Sequence, residues 1–278
     1  MATIDVNGTT LYHEQRGAGP PLLFISGATG DAGHWTEVAD ALADEYTVVT
    51  YDRRANSRSP RPEGYTTASL PEQADDAAAL IEALGLAPAL VYGNSAGALI
   101  LTDLVLRRPD LLRGAVLHEP PFAAVTSHPD EVLGTLQQII TDGMAQGGPA
   151  RATELFLRSV SGDEVYDAFA PDLRDRMLGN GEVLFAVEME PIMGYLPTVE
   201  QLSGVRVPCV VASGAENRDP TAPGHWFWEA AQWVADGLGV PLLETPGAHV
   251  PQASHPAELV AMLRPVLARV ATSSPVTA

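Results

Sequence analysis

The sequence predicts an α/β fold, with a mostly parallel central sheet flanked by helices and an inserted helical cap. Three observations carry this reading. Short apolar runs recur at residues 21–27, 46–51, 90–93, 114–118 and 206–212, and unbroken runs of this kind belong to strands buried on both faces of a parallel sheet. Stretches with helical spacing or composition separate them, at 35–45, 69–84 and 98–108. Between 122 and about 201 the strand-like runs vanish and only helical spacings remain. The simplest organisation is a core formed by 1–121 and 202–278, with 122–201 inserted over the edge of the sheet.

The elements follow in order. Two alternating runs, 3–6 and 10–14, flank Asn7-Gly8. An Asn-Gly pair in that setting is the strongest short hairpin signal, so the sheet begins with an antiparallel edge. The run at 21–27 ends in a glycine-containing loop through Gly33, and residues 54–65, with prolines at 60 and 62, read as a loop. The helix expected over 69–84 has acidic residues early, where they suit the positive end of its dipole, and Gly85 stops it. Pro120-Pro121 ends regular pairing after the run at 114–118. Within the insertion, helices are expected over 131–146, 150–159 and 162–177. A strand over 206–212, a helix from Trp226 ended by Gly237 and Gly239, a strand over 241–245, a loop over 246–255 and a helix from Pro256 to about 270 complete the chain. No repeats appear, and residues 272–278 read as disordered.

A hydrophobic content of 46% lets 278 residues bury a large core as one domain with its insertion. No window approaches the roughly 18 apolar residues of a membrane span, and the N-terminus lacks the basic and apolar regions of a secretion signal, so a soluble cytoplasmic protein is expected. The single cysteine, Cys209, excludes an intramolecular disulfide and reads as core. A formal charge of −19 opposes nucleic acid and anionic membranes as partners, because that affinity rests on basic side chains. All 16 basic residues are arginines, which excludes Schiff-base chemistry and the lysine-dependent phosphate loop. A homo-oligomer is left open.

The run at 90–93 leads into Gly93-Asn94-Ser95-Ala96-Gly97. A Gly-x-Ser-x-Gly between strand and helix is a sharp turn that lifts a hydroxyl out of the fold, because small neighbours tolerate the tight backbone. Ser95 is the candidate nucleophile. A serine hydroxyl is a weak nucleophile at neutral pH and needs an imidazole to take its proton. Of seven histidines, His249 stands in a glycine-containing loop directly after the last expected strand, on the same sheet edge as Ser95. His255, before Pro256, reads as the start of a helix, and His118-Glu119 lacks the second histidine of a zinc motif.

Gly27, Asp52-Arg53-Arg54, Ser57 and Ser59, the elbow at Gly93–Gly97 and Gly247-Ala248-His249 stand in the chain with the nucleophile first and the histidine last. On these landmarks the sequence resembles an α/β-hydrolase with a helical cap. The resemblance implies a buried carboxylate that orients His249. The fold commonly has this acid as Gly-x-x-Asp after the strand that follows the cap. Here Gly214-Ala215-Glu216-Asn217 puts an amide there, with Asp219 and Glu216 off register. A subset places the acid after the strand that follows the nucleophile helix, where Glu119 stands. The runs His118-Glu119-Pro120, 247–249 and Ser254-His255-Pro256 resemble in particular the fungal lactone hydrolases that open the macrocyclic ester of zearalenone, whose acid is a glutamate after this strand. Glu119 is therefore the expected acid and Asp219 the alternative. The implied oxyanion donors are the N–H of Ala96 and that of Gly27 or Ala28, with Ser26 where a histidine usually stands.

The expected activity is hydrolysis of a carboxylic ester or lactone of a hydrophobic small molecule through an acyl-enzyme, with no metal and no organic cofactor. Two other classes fit the same landmarks. One is a carbon–carbon bond hydrolase, cofactor-free oxygenase or haloperoxidase on this scaffold; the other is a non-catalytic receptor for a hydrophobic ligand. Phe156, Met177, Phe185, Met189, Met193 and Tyr195 are expected either to line a pocket or to pack in the core. Trp226, Trp228 and Trp233 are expected to pack rather than bind ligand, and Arg53 and Arg54 to anchor their loop.

Overall fold

A computed structural model describes residues 2–272. Of the stretch expected to be disordered, 273–278 lie outside the described residues, whereas Thr272 closes a helix. Strands β1 (Ala2–Val6), β2 (Thr9–Arg16), β3 (Pro21–Ile25), β4 (Thr47–Tyr51), β5 (Ala89–Asn94), β6 (Leu112–His118), β7 (Cys209–Gly214) and β8 (Leu242–Thr245) form one sheet in the order β1-β2-β4-β3-β5-β6-β7-β8. The β1–β2 and β2–β4 pairs are antiparallel and the others parallel. Asn7 and Gly8, both at positive φ, make the first turn.

Helices α1 (Thr36–Leu42), α2 (Leu70–Ala83) and α3 (Ala96–Arg107) precede a helical segment between β6 and β7. That segment comprises α4 (Pro129–Ser161), α5 (Asp163–Ala168), α6 (Pro171–Gly179), α7 (Gly181–Val183), α8 (Met189–Gly194) and α9 (Val199–Ser203); α10 (His225–Leu238), α11 (Pro251–Ser254) and α12 (Pro256–Thr272) follow. Side chains alternate across a strand, and β3 shows the result. Leu22 and Phe24 pack with α1 and α12 on one face, and Leu23 and Ile25 with α2, α3 and α10 on the other. All four are fully buried, each side chain contributing about 1.5–3 kcal/mol by leaving water. Phe24 lies 4.7 Å from the Trp35 ring and 5.5 Å from that of Tyr92, so Phe24→Ala would open a cavity costing about 3–5 kcal/mol.

Several boundaries differ from the sequence reading. α4 loses helical geometry at Gly147 and at Gly148, whose φ is +73°, which yields the two helices expected over 131–146 and 150–159. The single helix expected over 162–177 is broken into α5 and α6, because Pro171 forces Ala170 out of the helical region, to ψ 136°. The strand expected from 206 begins at Cys209, since Pro208 has no N–H to give the ladder; Cys209 is partly buried and packs against the core. The loop expected over 246–255 contains α11. Among the described residues no helix is long and apolar enough to cross a membrane.

This topology fixes where a site can form. From β3 the chain crosses to β4 on one side and, after α2, to β5 on the other, leaving a crevice at the carboxyl ends of β3 and β5. Gly27 and Ser95 stand on its two sides.

Candidate active site

Ser95 sits between β5 and α3 with φ 56° and ψ −125°, a backbone conformation that side-chain-bearing residues rarely adopt. The turn is held by Ser95 N donating to the His118 carbonyl at 2.9 Å and by Ala98 N donating to the Ser95 carbonyl at 2.8 Å. The flanking glycines are required by proximity. A Cβ on Gly93 would stand 2.4 Å from the Gly97 carbonyl oxygen, and one on Gly97 would stand 2.2 Å from that of Ile25. Across the crevice a Cβ on Gly27 would lie 2.9 Å from Cβ of Ser95.

Glu119 follows β6 with φ 47°, its N–H bonded to the Ala212 carbonyl at 3.0 Å. Its carboxylate is fully buried. Oε1 accepts from Ser213 Oγ at 2.7 Å, Gly214 N at 2.8 Å and Asn217 Nδ2 at 2.8 Å. Oε2 lies 2.5 Å from His249 Nδ1. Burial alone would raise the pKa of this carboxyl. The hydrogen bond and charge of His249, joined by Ser213, outweigh burial and hold it at about 2. A carboxylate only accepts, so Nδ1 of His249 donates in this contact, and Nε2 is turned away from Glu119.

His249 is reached by the turn at Gly247, whose φ is +69°. Its carbonyl accepts from Asn94 Nδ2 at 3.1 Å, and its ring stacks on Phe227 with centroids 3.7 Å apart. Phe227 in turn stacks on Trp226 at 3.8 Å. Among the described residues no hydrogen bond joins the Ser95 hydroxyl to the His249 ring.

Ser95, Ala28, Ala96 and Phe227 line one small cavity of about 30 Å³ whose walls are otherwise apolar: Phe156, Leu184, Met189, Ile192 and Met193 from the helical segment, with Pro121, Leu136 and Trp226. A groove of about 700 Å³ lies against it and shares Leu136, Trp226 and Phe227. Of the two loop donors considered, Ala28 lines the cavity. Ala96 opens α3, whose first N–H groups have no partner inside the helix.

Asp219, the alternative acid, is exposed and accepts from N and Oγ1 of Thr221, both at 2.8 Å; no contact joins it to His249 among the described residues. His118 is fully buried between Asn94 and Thr245, and burial lowers its pKa to about 4. Three of the six side chains weighed as pocket or core line the cavity: Phe156, Met189 and Met193. Met177 is core, and Phe185 and Tyr195 line a separate surface groove. Trp226 stacks on Phe227 and also lines the cavity, whereas Trp233 packs on Phe122 at 5.8 Å. Phe227 and Glu188 went unnoticed in the sequence. Phe227 could have been found as the neighbour of Trp226 on the helix after β7; nothing local marks Glu188. Among the described residues no three His, Cys, Asp or Glu side chains cluster so as to hold a metal ion.

Residues 20–173 match the profile of the alpha/beta hydrolase fold. The chain is 32% identical over 254 residues to the uncharacterized hydrolase YraK of Bacillus subtilis (strain 168), covering 89% of this chain and 88% of that one. It is 27% identical over 256 residues to the zearalenone hydrolase of Bionectria ochroleuca, covering 90% of each. Its fold superimposes with a TM-score of 0.77 on a thermophilic esterase from Thermogutta terrifontis, at 20% identity, covering 98% of this chain and all of the other.

Proposed function

Because this chain belongs to the α/β-hydrolase family and is a hydrolase of that fold, we propose that it cleaves a carboxylic ester or lactone of a small molecule by serine nucleophilic catalysis. In this reading Ser95 Oγ attacks the carbonyl carbon as its proton passes to His249 Nε2, and Glu119 holds the imidazolium that forms. The carbonyl oxygen, now an oxyanion, accepts from the N–H groups of Ala96 and Ala28. His249 returns its proton to the departing alkoxide, leaving an acyl-Ser95. A water, activated by His249, then releases the acid and restores the hydroxyl.

The observation that carries the reading is the buried, ionised Glu119 bonded at 2.5 Å to an imidazole that stacks on Phe227, a wall of the cavity containing Ser95. A positioned carboxylate–imidazole pair, linked through Phe227 to the cavity of a strained serine, supports acyl transfer as the reading. The apolar lining supports an apolar substrate portion, with residues 122–201 acting as the cap that supplies much of that wall. A screen of p-nitrophenyl esters and macrolactones, with Ser95→Ala as blank, tests it. Hydrolysis by the wild type and none above background by the variant is the expected result.

A further inference from the structure

One buried arginine joins the loop of the proposed oxyanion site to the segment that walls the cavity. The peptide between Gly27 and Ala28 is planar and trans, so its carbonyl and its N–H point in opposite directions. Arg53 Nη2 donates to that carbonyl at 3.3 Å, and whatever fixes the oxygen also fixes the N–H behind it. Arg53 follows β4 and is 1% exposed. Its guanidinium is clamped by Glu188, Nη1 to Oε1 at 2.7 Å and Nη2 to Oε2 at 3.1 Å, and Nη1 also donates to Gln73 Oε1 at 2.5 Å. Glu188 is fully buried and accepts in addition from Asn56 Nδ2 at 3.1 Å and Gln73 Nε2 at 3.4 Å.

Glu188 ends a π-helical turn, Leu184–Glu188, the local irregularity that recurs at functional sites. On either side of it Leu184, Met189, Ile192 and Met193 form the cavity wall. The arginine fork therefore joins the wall to the loop that carries Ala28. A planar, two-pronged donor is suited to this task, since it spans a carboxylate and a carbonyl at once.

We propose that Arg53, braced by Glu188, is a positioning residue that aims the Ala28 N–H at the oxyanion and ties that donor to the substrate-facing wall. This rests on the reading of Ser95 as nucleophile and assigns the loop donor to Ala28. The test compares the wild type with the double variant Arg53→Met/Glu188→Leu, which leaves no unpaired charge in the core. Measured are kcat and KM on a p-nitrophenyl ester, and affinity for a trifluoromethyl ketone, whose adduct with a serine carries an oxyanion. Expected are a KM within about threefold of wild type, a kcat lower by about 10- to 100-fold, below the full loss of one donor, and ketone affinity weakened in parallel.

If the double variant does not fold, Arg53→Lys replaces it, because an ammonium can still pair with Glu188 but cannot reach both partners, and the same loss is expected. Unchanged kcat and ketone affinity in a folded variant would overturn the proposal. Failure of the wild type to hydrolyse any ester, or full activity in Ser95→Ala, would instead remove the serine-hydrolase reading beneath it.

Discussion

The side-chain amide of Asn217 donates to Glu119 Oε1 at 2.8 Å. Asn217 occupies the position after β7 where the fold commonly has its acid, while the carboxylate bonded to His249, that of Glu119, follows β6. The two strands are neighbours, joined through Val116 and Val210 among other pairs, so an acid moved from one to the other still meets the same histidine. In the proposed mechanism Asn217, whose amide cannot balance an imidazolium charge, holds the carboxylate that would.

Glu119→Gln should lower kcat by roughly 10²- to 10⁴-fold, because the neutral amide no longer stabilises the protonated ring. Asp219→Asn should leave kcat within about twofold, being exposed and bonded to Thr221. Steady-state kinetics on one ester reads both; the reverse pattern, a large loss in Asp219→Asn and little in Glu119→Gln, would move the acid to Asp219.

Asn217→Asp in the wild-type background should reduce activity, because two carboxylates at hydrogen-bond distance compete for one proton. Combined with Glu119→Gln it should recover part of the lost kcat, since a charge returns to the same pocket from β7. A double variant no faster than Glu119→Gln alone would show that the two positions are not interchangeable.

Lowering pH should expose the neutral histidine beneath the site. Burial holds His118 at about 4, below its ordinary 6.5, so the unfolded chain binds the extra proton first. The stability this histidine contributes is full above pH 6.5 and lost as pH falls towards 4, amounting to about 3 kcal/mol. Glu119, held at about 2, adds a further loss below pH 4.5. His34, also lowered to about 4 chiefly by burial, adds a second loss over the same range as His118. Urea unfolding between pH 4 and 7 should show the combined slope, and His118→Gln should reduce it by about half, leaving the share of His34.

Leu136 and Trp226 belong both to the inner cavity and to the adjoining groove. Leu136→Ala should open one space into the other and shift the best p-nitrophenyl ester towards longer acyl chains. The ratio of kcat/KM for octanoate to that for acetate measures this, and an unchanged ratio would place the acyl group elsewhere.

Much of the fold and part of the site were legible in the residues. Leu22 to Ile25 are buried on both faces, so the run itself announces a central strand. Ser95 was marked by glycines whose absent side chains make room for Gly97 and Ile25 carbonyls, and Glu119 was reached because Asn217 left the usual acid position neutral. What escaped depends on distant packing. Glu188 lies 135 positions from Arg53, and no local pattern records a pairing across that span. Trp226 faces the cavity from an amphipathic helix, where periodicity separates buried from exposed sides but not core from pocket. Helical spacing continues on both sides of Pro171, so periodicity alone does not reveal the break there.

The central claim is that the Ser95 hydroxyl takes up the acyl group. Rapid quench of the enzyme with a p-nitrophenyl ester, followed by peptide mass spectrometry, tests this most directly. The account predicts the acyl mass on the peptide containing Ser95, formed within the first turnover and absent in Ser95→Ala. Turnover with no adduct at Ser95, or with the acyl group on another residue, would contradict it.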